Sequence, residues 1–210
     1  MTRHIEFLVE EPSMEAFLRA ILPSLLPEDC TFHIHTFQGK LDLLDKLPAR
    51  LRGYASWLPQ DWRIVVIVDQ DNDNCHQLKE QLEQIARQVN LRTRSQSGAC
   101  SWQIVNRIAI EELEAWYFGE WEAVCAAYPR VSPTVPNKKS YRDPDAIAGG
   151  TSEAFERLLQ RKGYFKSGLP KIIVAQEVGE YFDPYRCRSR SFICFREALR
   201  EAARATGDCS

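Results

Sequence analysis

The segment Ile64-Val65-Val66-Ile67-Val68 constrains this chain more than any other. Consecutive β-branched residues lose χ1 freedom in a helix and fit a pleated strand instead. No polar residue alternates with them, so both faces of the strand must be covered, as in the centre of a parallel sheet. Asp69-Gln70-Asp71-Asn72-Asp73-Asn74 follows directly and must be a loop. Strand and loop together deliver carboxylates to a strand's carboxyl end, where open α/β sheets gather their ligands.

The neighbouring segments supply the rest of such a sheet. Ile5, Phe7 and Val9 mark a short opening strand, broken by Glu10-Glu11-Pro12-Ser13, and Pro and Ser both open helices. Phe17, Leu18, Ile21, Leu22 and Leu25 then recur at helical spacing, with Pro23 predicted to end or kink that helix early. Residues 31–37 read as a second strand, turned by Gln38-Gly39 into a leucine-rich helix over 41–51. Leu78, Leu82, Ile85, Ala86 and Val89 form an apolar helical stripe. A fourth strand is predicted over 102–107 and a helix from 110 to 117. The order βαβαβαβα predicts an α/β fold, a mostly parallel sheet flanked by helices. Regularity fails after residue 118: residues 129–150 hold four prolines and Gly149-Gly150, which predicts a loop or insertion. Helices are predicted again over 151–162, 170–181 and 192–205. The reading is therefore a core over 1–118 with a helical, irregular extension over 119–210 packed on it, one structural unit.

Composition excludes several classes. Lys and Arg number 27 against 29 Asp and Glu, a formal charge of −2, which rules out a bulk-basic nucleic-acid coat. No apolar run approaches the roughly 20 residues of a membrane span, and Met1-Thr2-Arg3-His4 shows no signal-peptide hydrophobic region. A soluble, cytoplasmic protein is the expectation. Cysteines at 30, 75, 100, 125, 187, 194 and 209 form no Cys-x-x-Cys, so neither a disulfide framework nor a zinc ribbon is expected. His33 and His35 share one strand face and can bind metal, but no third ligand type lies beside them in sequence, so packing or exposure is the reading there.

Three acidic clusters remain. Glu10 and Glu11 end the first strand, Asp69, Asp71 and Asp73 end the most apolar one, and Glu111, Glu112 and Glu114 follow the fourth. Asp and Glu after strands are ordinary loop and cap residues when taken singly. Converging carboxylates raise one another's pKa unless a cation neutralises them. Their hard oxygens suit Mg²⁺ or Mn²⁺, which bind phosphate oxygens as well.

These residues resemble a known arrangement. Val9-Glu10-Glu11-Pro12-Ser13, a helix, then Val66-Ile67-Val68-Asp69-Gln70-Asp71 resembles the TOPRIM fold of topoisomerases, primases and overcoming-lysogenization-defect nucleases over roughly residues 4–118. More closely, and over most of the chain, the sequence resembles an uncharacterised bacterial family, domain of unknown function 4276. That likeness rests on Val9-Glu10-Glu11-Pro12-Ser13, Phe37-Gln38-Gly39-Lys40, Glu112-Leu113-Glu114-Ala115-Trp116 and Ser189-Arg190-Ser191-Phe192. The resemblance implies a TOPRIM-like, Rossmann-like core and a magnesium-dependent site with Glu10, Asp69 and Asp71 as metal ligands or proton handlers. Glu114 is the next ligand by similarity to the nuclease branch, with Glu11 and Asp73 as further candidates. It also implies an ATPase partner of the AAA or ABC type encoded nearby in a phage-defence module. Two positions depart from the pattern. Glu11 stands where a glycine usually lets the backbone turn tightly, and Met14 stands where related chains often carry an acid, leaving Glu15 one place later. One or two ions, and Glu10 or Glu11 as primary ligand, thus stay open, with Glu10 favoured by its place directly after the strand.

Basic residues are segregated. Residues 109–123 carry five glutamates and no Lys or Arg, whereas residues 186–205 carry six arginines against Glu197 and Glu201. Arg186, Arg188, Ser189, Arg190 and Ser191 are candidate phosphate-binding residues; a solvated helix with i,i+4 pairs, capped by Ser191, is the plainer reading. Lys40 is a candidate for a phosphate or a transition-state charge, and Arg107 for a phosphate contact or an ion pair with the carboxylates. The five tryptophans can stack bases but are read as core or interface aromatics, with Trp116 packed. The leading function is a metal-dependent nuclease acting on DNA or RNA, with self-association left open. A haloacid-dehalogenase-like phosphatase also ends a strand in Asp-x-Asp, the first acting as nucleophile, but its usual Thr or Val is Asp73 here. A non-catalytic metal- or nucleic-acid-binding scaffold is the third reading. Asp69, Asp71, Asp73, Asn74 and Glu80 also match EF-hand loop positions, a coincidence where a strand precedes the loop.

Overall fold

The computed structural model describes residues 3–98 and 101–204. Strands β1 (Arg3–Val9), β2 (Cys30–Thr36), β3 (Trp62–Asp69) and β4 (Ile104–Ala109) form one sheet in the order β2-β1-β3-β4. Every ladder is parallel, Phe7 lying opposite Ile34 on one side and Val65 on the other. The chain is α/β and Rossmann-like. It leaves β1 toward β2, then crosses back to build β3 and β4 on the other side. Such a reversal opens a crevice at the carboxyl ends of the two strands it separates. Glu10 and Asp69 stand at that crevice.

Nine helices among the described residues cover the sheet: α1 (Pro12–Leu25), α2 (Lys40–Ala55), α3 (Cys75–Gln88), α4 (Arg94–Ser97), α5 (Glu114–Gly119), α6 (Trp121–Ala127), α7 (Thr151–Arg161), α8 (Lys171–Tyr181) and α9 (Arg190–Ala202). None is long and apolar enough to cross a membrane. On one face, Ile5, Phe7, Val9, Val65, Ile67 and Val105 join a core with Phe17 of α1, Trp116 of α5, Val174 of α8 and Phe195 of α9. On the other, Leu8, Ile64, Val66 and Val68 meet Leu43, Leu47 and Leu51 of α2 and Leu78 and Leu82 of α3. The β-branched run is buried on both sides because each side has its own helical layer.

Boundaries shift where tertiary bonds override local signals. Pro23 does not end α1 early. The helix continues to Leu25, whose side chain is buried, and the Leu26 N–H closes it on the Leu22 carbonyl at 2.9 Å. The fourth strand spans Ile104–Ala109 rather than 102–107, and the next helix begins at Glu114 rather than 110. The cause lies after β3: the Gln70 N–H donates to the Ala109 carbonyl at 2.9 Å and the Asp71 N–H to the Glu111 carbonyl at 2.8 Å. The ladder is thereby carried past the strand end, and Glu111 turns at φ 62°. The predicted loop over 129–150 contains two short 3₁₀ turns, Val135–Asn137 and Lys139–Tyr141. Cys30, Cys75, Cys125, Cys187 and Cys194 are free thiols; Cys100 and Cys209 lie outside the described residues.

Candidate functional site

Asp69 is the centre of the site. As the last residue of β3 it is 5% exposed, and its Oδ1 is buried with no hydrogen-bond partner among the described residues. Its N–H donates to Glu10 Oε2 at 3.1 Å, so the residue after β1 is held against the end of β3. Burial, then the charges of Glu10, Glu114, Glu11 and Asp71, push the Asp69 carboxyl well above the usual carboxylate range. Glu10 is raised for the same first reason, burial, and by Asp71, against the lowering effect of the Asp69 N–H. Glu114, 3% exposed in the first turn of α5, is pushed up to about 7 by burial, with Lys171 opposing.

Two lysines face this cluster. Lys40 follows Gly39, the N-cap of α2, at φ 98°. Its Nζ lies 2.7 Å from Asp71 Oδ2 and 2.8 Å from Asp73 Oδ2, and donates to the Gln70 carbonyl at 3.0 Å. Burial lowers the Lys40 ammonium pKa, but these carboxylates more than offset it and leave it raised. Asp71 itself turns at φ 51°, a conformation that Asp tolerates better than most residues. Lys171 opens α8 and stands 3.8 Å from Glu11 Oε1. Its pKa is likewise raised despite burial, by Glu114, Glu11, Glu112 and Asp69. Sequence reasoning missed Lys171; its only signal is a lone lysine after Pro170 at a helix start.

The third acidic cluster divides its work. Glu112 Oε2 accepts from the Ser152 N–H at 2.7 Å and the Thr151 hydroxyl at 3.2 Å, fixing the start of α7. The Ser152 hydroxyl in turn donates to Glu114 Oε1 at 3.4 Å. Glu111, Glu112, Glu153, Asp71 and Asn72 line an adjoining recess of about 110 Å³ beside Gly150. A Cβ on Gly150 would meet Glu153 Oε2 at 2.0 Å, so only glycine leaves that acid in place. Glu15 bonds Thr36 and Arg19 and stays out of the site, while Met14 is buried in the core.

Other candidates lie elsewhere. Among the described residues Arg107 forms no ion pair with the carboxylates, a correction to the expected pairing. Its electrostatic neighbours are Arg94, Cys194, Glu201 and Glu83, because it lies two ladder positions before Ala109, the partner of Asp69. Arg186 is exposed and paired with Glu122 at 2.8 Å, Glu120 at 3.2 Å and Asp183 at 3.3 Å. Ser189 and Ser191 are buried and internally committed, which corrects their expected contact with phosphate. Ser189, the N-cap of α9, donates to Asp145 Oδ1 at 2.7 Å, and Ser191 donates to the same oxygen at 3.1 Å while accepting from Trp116 Nε1 at 2.9 Å. Arg188 and Arg190 remain exposed. Glu80 pairs with Arg87 along α3, away from the Asp69 loop, so no EF-hand forms.

A buried, unpartnered carboxylate oxygen among further carboxylates is the donor set that hard divalent cations take. The oxygens of Glu10, Asp69, Asp71 and Glu114 are of the hard donor type that Mg²⁺ or Mn²⁺ takes, but no three of them bring ligand atoms within 4.8 Å of one another. Fold and site together define an α/β protein with an acidic cluster at the carboxyl edge of its sheet. A family model described as domain of unknown function (DUF4276) matches residues 9–200, and the chain belongs to that family. No curated protein and no solved structure matches it significantly.

Proposed function

We propose that this protein is a metal-dependent nuclease that hydrolyses phosphodiester bonds in DNA or RNA, with Mg²⁺ or Mn²⁺ held by Glu10, Asp69 and Asp71. The observation that carries the reading is the buried Asp69 Oδ1, without a hydrogen-bond partner among the described residues and within electrostatic reach of Glu10, Glu114 and Glu11. When bound, such an ion activates water and stabilises the leaving oxygen of phosphoryl transfer. Glu114, with its pKa raised to about 7, is suited to hold or release a proton near neutral pH. The Lys40 ammonium, positioned by Asp71 and Asp73, supplies positive charge beside the transferring phosphoryl group. Arg188 and Arg190 are exposed for contact with a phosphate backbone. The likeness of Glu10 and Asp69-x-Asp71 to TOPRIM nucleases supports the same chemistry. It also supports a role as cytoplasmic effector of a phage-defence module with a neighbouring ATPase.

The test incubates the full chain, with and without the ATPase encoded beside it, with DNA or tRNA and Mg²⁺ or Mn²⁺. Cleavage should appear in the wild type and vanish in Glu10→Ala and Asp69→Ala. Absence of cleavage in every combination, or its survival in both variants, overturns the reading. Turnover of a generic phosphomonoester that is lost in Asp69→Asn, without nucleic-acid cleavage, would place the protein with haloacid-dehalogenase-like phosphatases instead.

A further inference from the structure

A second set of ligating side chains lies on the α2 face of the sheet, independent of the acidic cluster. Parallel pairing of β1 with β2 sets Glu6 opposite His33 and Leu8 opposite His35. Side chains two apart on a strand share a face, so Glu6, His33 and His35 all project toward α2. One ligand atom from each lies within 4.8 Å of the other two. Glu6 is four residues before Glu10, roughly 13 Å along an extended strand, so the two groups cannot share an ion.

We propose that Glu6, His33 and His35 form a separate site for a borderline divalent transition-metal ion of the zinc class. Two imidazole nitrogens and one carboxylate oxygen suit Zn²⁺ far better than Mg²⁺ or Ca²⁺. Tetrahedral zinc, with bonds of about 2.0–2.1 Å, spaces its ligand atoms roughly 3.3 Å apart. His35 Nε2 and Glu6 Oε2 are 2.7 Å apart, and one ligand atom from each of the three residues lies within 4.8 Å of the others, so side-chain rotation alone can bring them to that spacing.

The surroundings have the form of a metal site's outer layer. Tyr54 Oη donates to Glu6 Oε2 at 3.0 Å, and His4 Nε2 lies 3.2 Å from Glu6 Oε1, so both carboxylate oxygens are oriented. Such outer partners fix the ligands and tune their basicity. Glu6 is 6% exposed, and among the described residues no lysine or arginine forms an ion pair with it. Among the described residues, His35 has a hydrogen bond to Glu6 while His33 has none, its ring stacking on that of His35 at 4.3 Å. A cleft of about 360 Å³, lined also by Arg50 and Trp57, leads from solvent to all three ligands. Three protein ligands facing an open cleft leave a fourth position for water or a small anion.

The experiment titrates Zn²⁺, and separately Co²⁺, into the metal-stripped full chain with excess Mg²⁺ present to occupy the acidic cluster. One equivalent of Zn²⁺ should bind, and Co²⁺ should show visible d–d bands of low coordination number. His33→Ala and His35→Ala should each weaken binding at least about 10-fold, and Tyr54→Phe about 10-fold through loss of the outer partner. His33 is exposed on an edge strand, so His33→Ala should melt like the wild type. Asp69→Asn should leave the Zn²⁺ isotherm unchanged, which separates this site from the proposed nuclease centre. No Zn²⁺ binding by the wild type, binding that survives His33→Ala with His35→Ala, or loss in Asp69→Asn alone would each overturn the proposal.

Discussion

The Asp69 N–H donates to Glu10 Oε2 at 3.1 Å, which joins the ends of β1 and β3 by a bond that also brings two carboxylates together. The sheet thus holds like charges in a place where burial disfavours both. Proteins commonly carry such local destabilisation where function requires it.

Asp69→Asn should therefore separate stability from activity. Replacing the buried acid with a neutral isostere removes repulsion with Glu10 and Glu114. In EDTA at pH 8.5 the variant should melt about 2–6 °C above the wild type, since 1 kcal/mol corresponds to roughly 2–4 °C in a chain of this size. Mg²⁺-dependent cleavage should fall about 10²-fold or more, because a bound ion's charge stabilisation is worth several kcal/mol. Calorimetry and gel cleavage assays read the two effects.

Glu114 gives a pH dependence of definite sign. Its folded pKa of about 7 lies above the ordinary 4.5, so the native state holds its proton more tightly than the unfolded chain. The metal-free protein is then fully favoured by this group below about pH 4.5 and loses that contribution as pH rises toward and past 7. One tenfold change in proton affinity is about 1.4 kcal/mol, which makes the loss about 3 kcal/mol by pH 8. Urea midpoints in EDTA should fall between pH 5 and 8. Glu114→Gln should flatten that slope, and saturating Mg²⁺ should reduce it.

Lys40 occupies the loop as a resident cation, bound to Asp71 and Asp73. Any divalent ion drawing on those carboxylates competes with it. Lys40→Gln should accordingly raise Mg²⁺ affinity about 2–30-fold, given roughly 0.2–1 kcal/mol for each of the two partly exposed pairs, while lowering cleavage. Isothermal titration beside an activity assay checks both directions. A fall in Mg²⁺ affinity would show that Lys40 organises the loop for the ion rather than competing with it.

The α1–α8 contact depends on one glycine. A Cβ on Gly179 would lie 2.6 Å from the Ala20 Cβ, so Gly179→Ala must push the helices apart. Overpacking of this kind costs about 1–3 kcal/mol. Ala20→Gly in the same chain should recover most of that loss, measured by denaturant unfolding of the double-mutant cycle.

Much of this architecture is legible in the chain. The Ile64–Val68 run, with no polar alternation, required a doubly covered strand, and β3 is one. The pairing of Glu10 with Asp69 is accessible because each directly follows an apolar run in the sequence. Lys171 was not, since nothing local in Pro170-Lys171 distinguishes it from a surface lysine; only the packing of α8 on α1 brings it to Glu11. Arg107 and the serines of Ser189-Arg190-Ser191 misled for the converse reason. Their types suit phosphate, yet the register of β4 and the Asp145 carboxylate give them other neighbours. His33 and His35 lacked a third ligand along the chain because Glu6 reaches them only through strand pairing.

Lys171 is also encoded after Glu10, Glu11, Asp69, Asp71 and Glu114. Glu10, Asp69 and Glu114 leave the ribosome well before the helix carrying the opposing ammonium. A nascent chain that has emerged only through α5 would hold its acids without that counter-charge, and without the layer that α8 and α9 add to the core. The protein's acidic floor is therefore drafted early and sealed late, so that truncation before Lys171 would alter the charge around acids that are all encoded upstream.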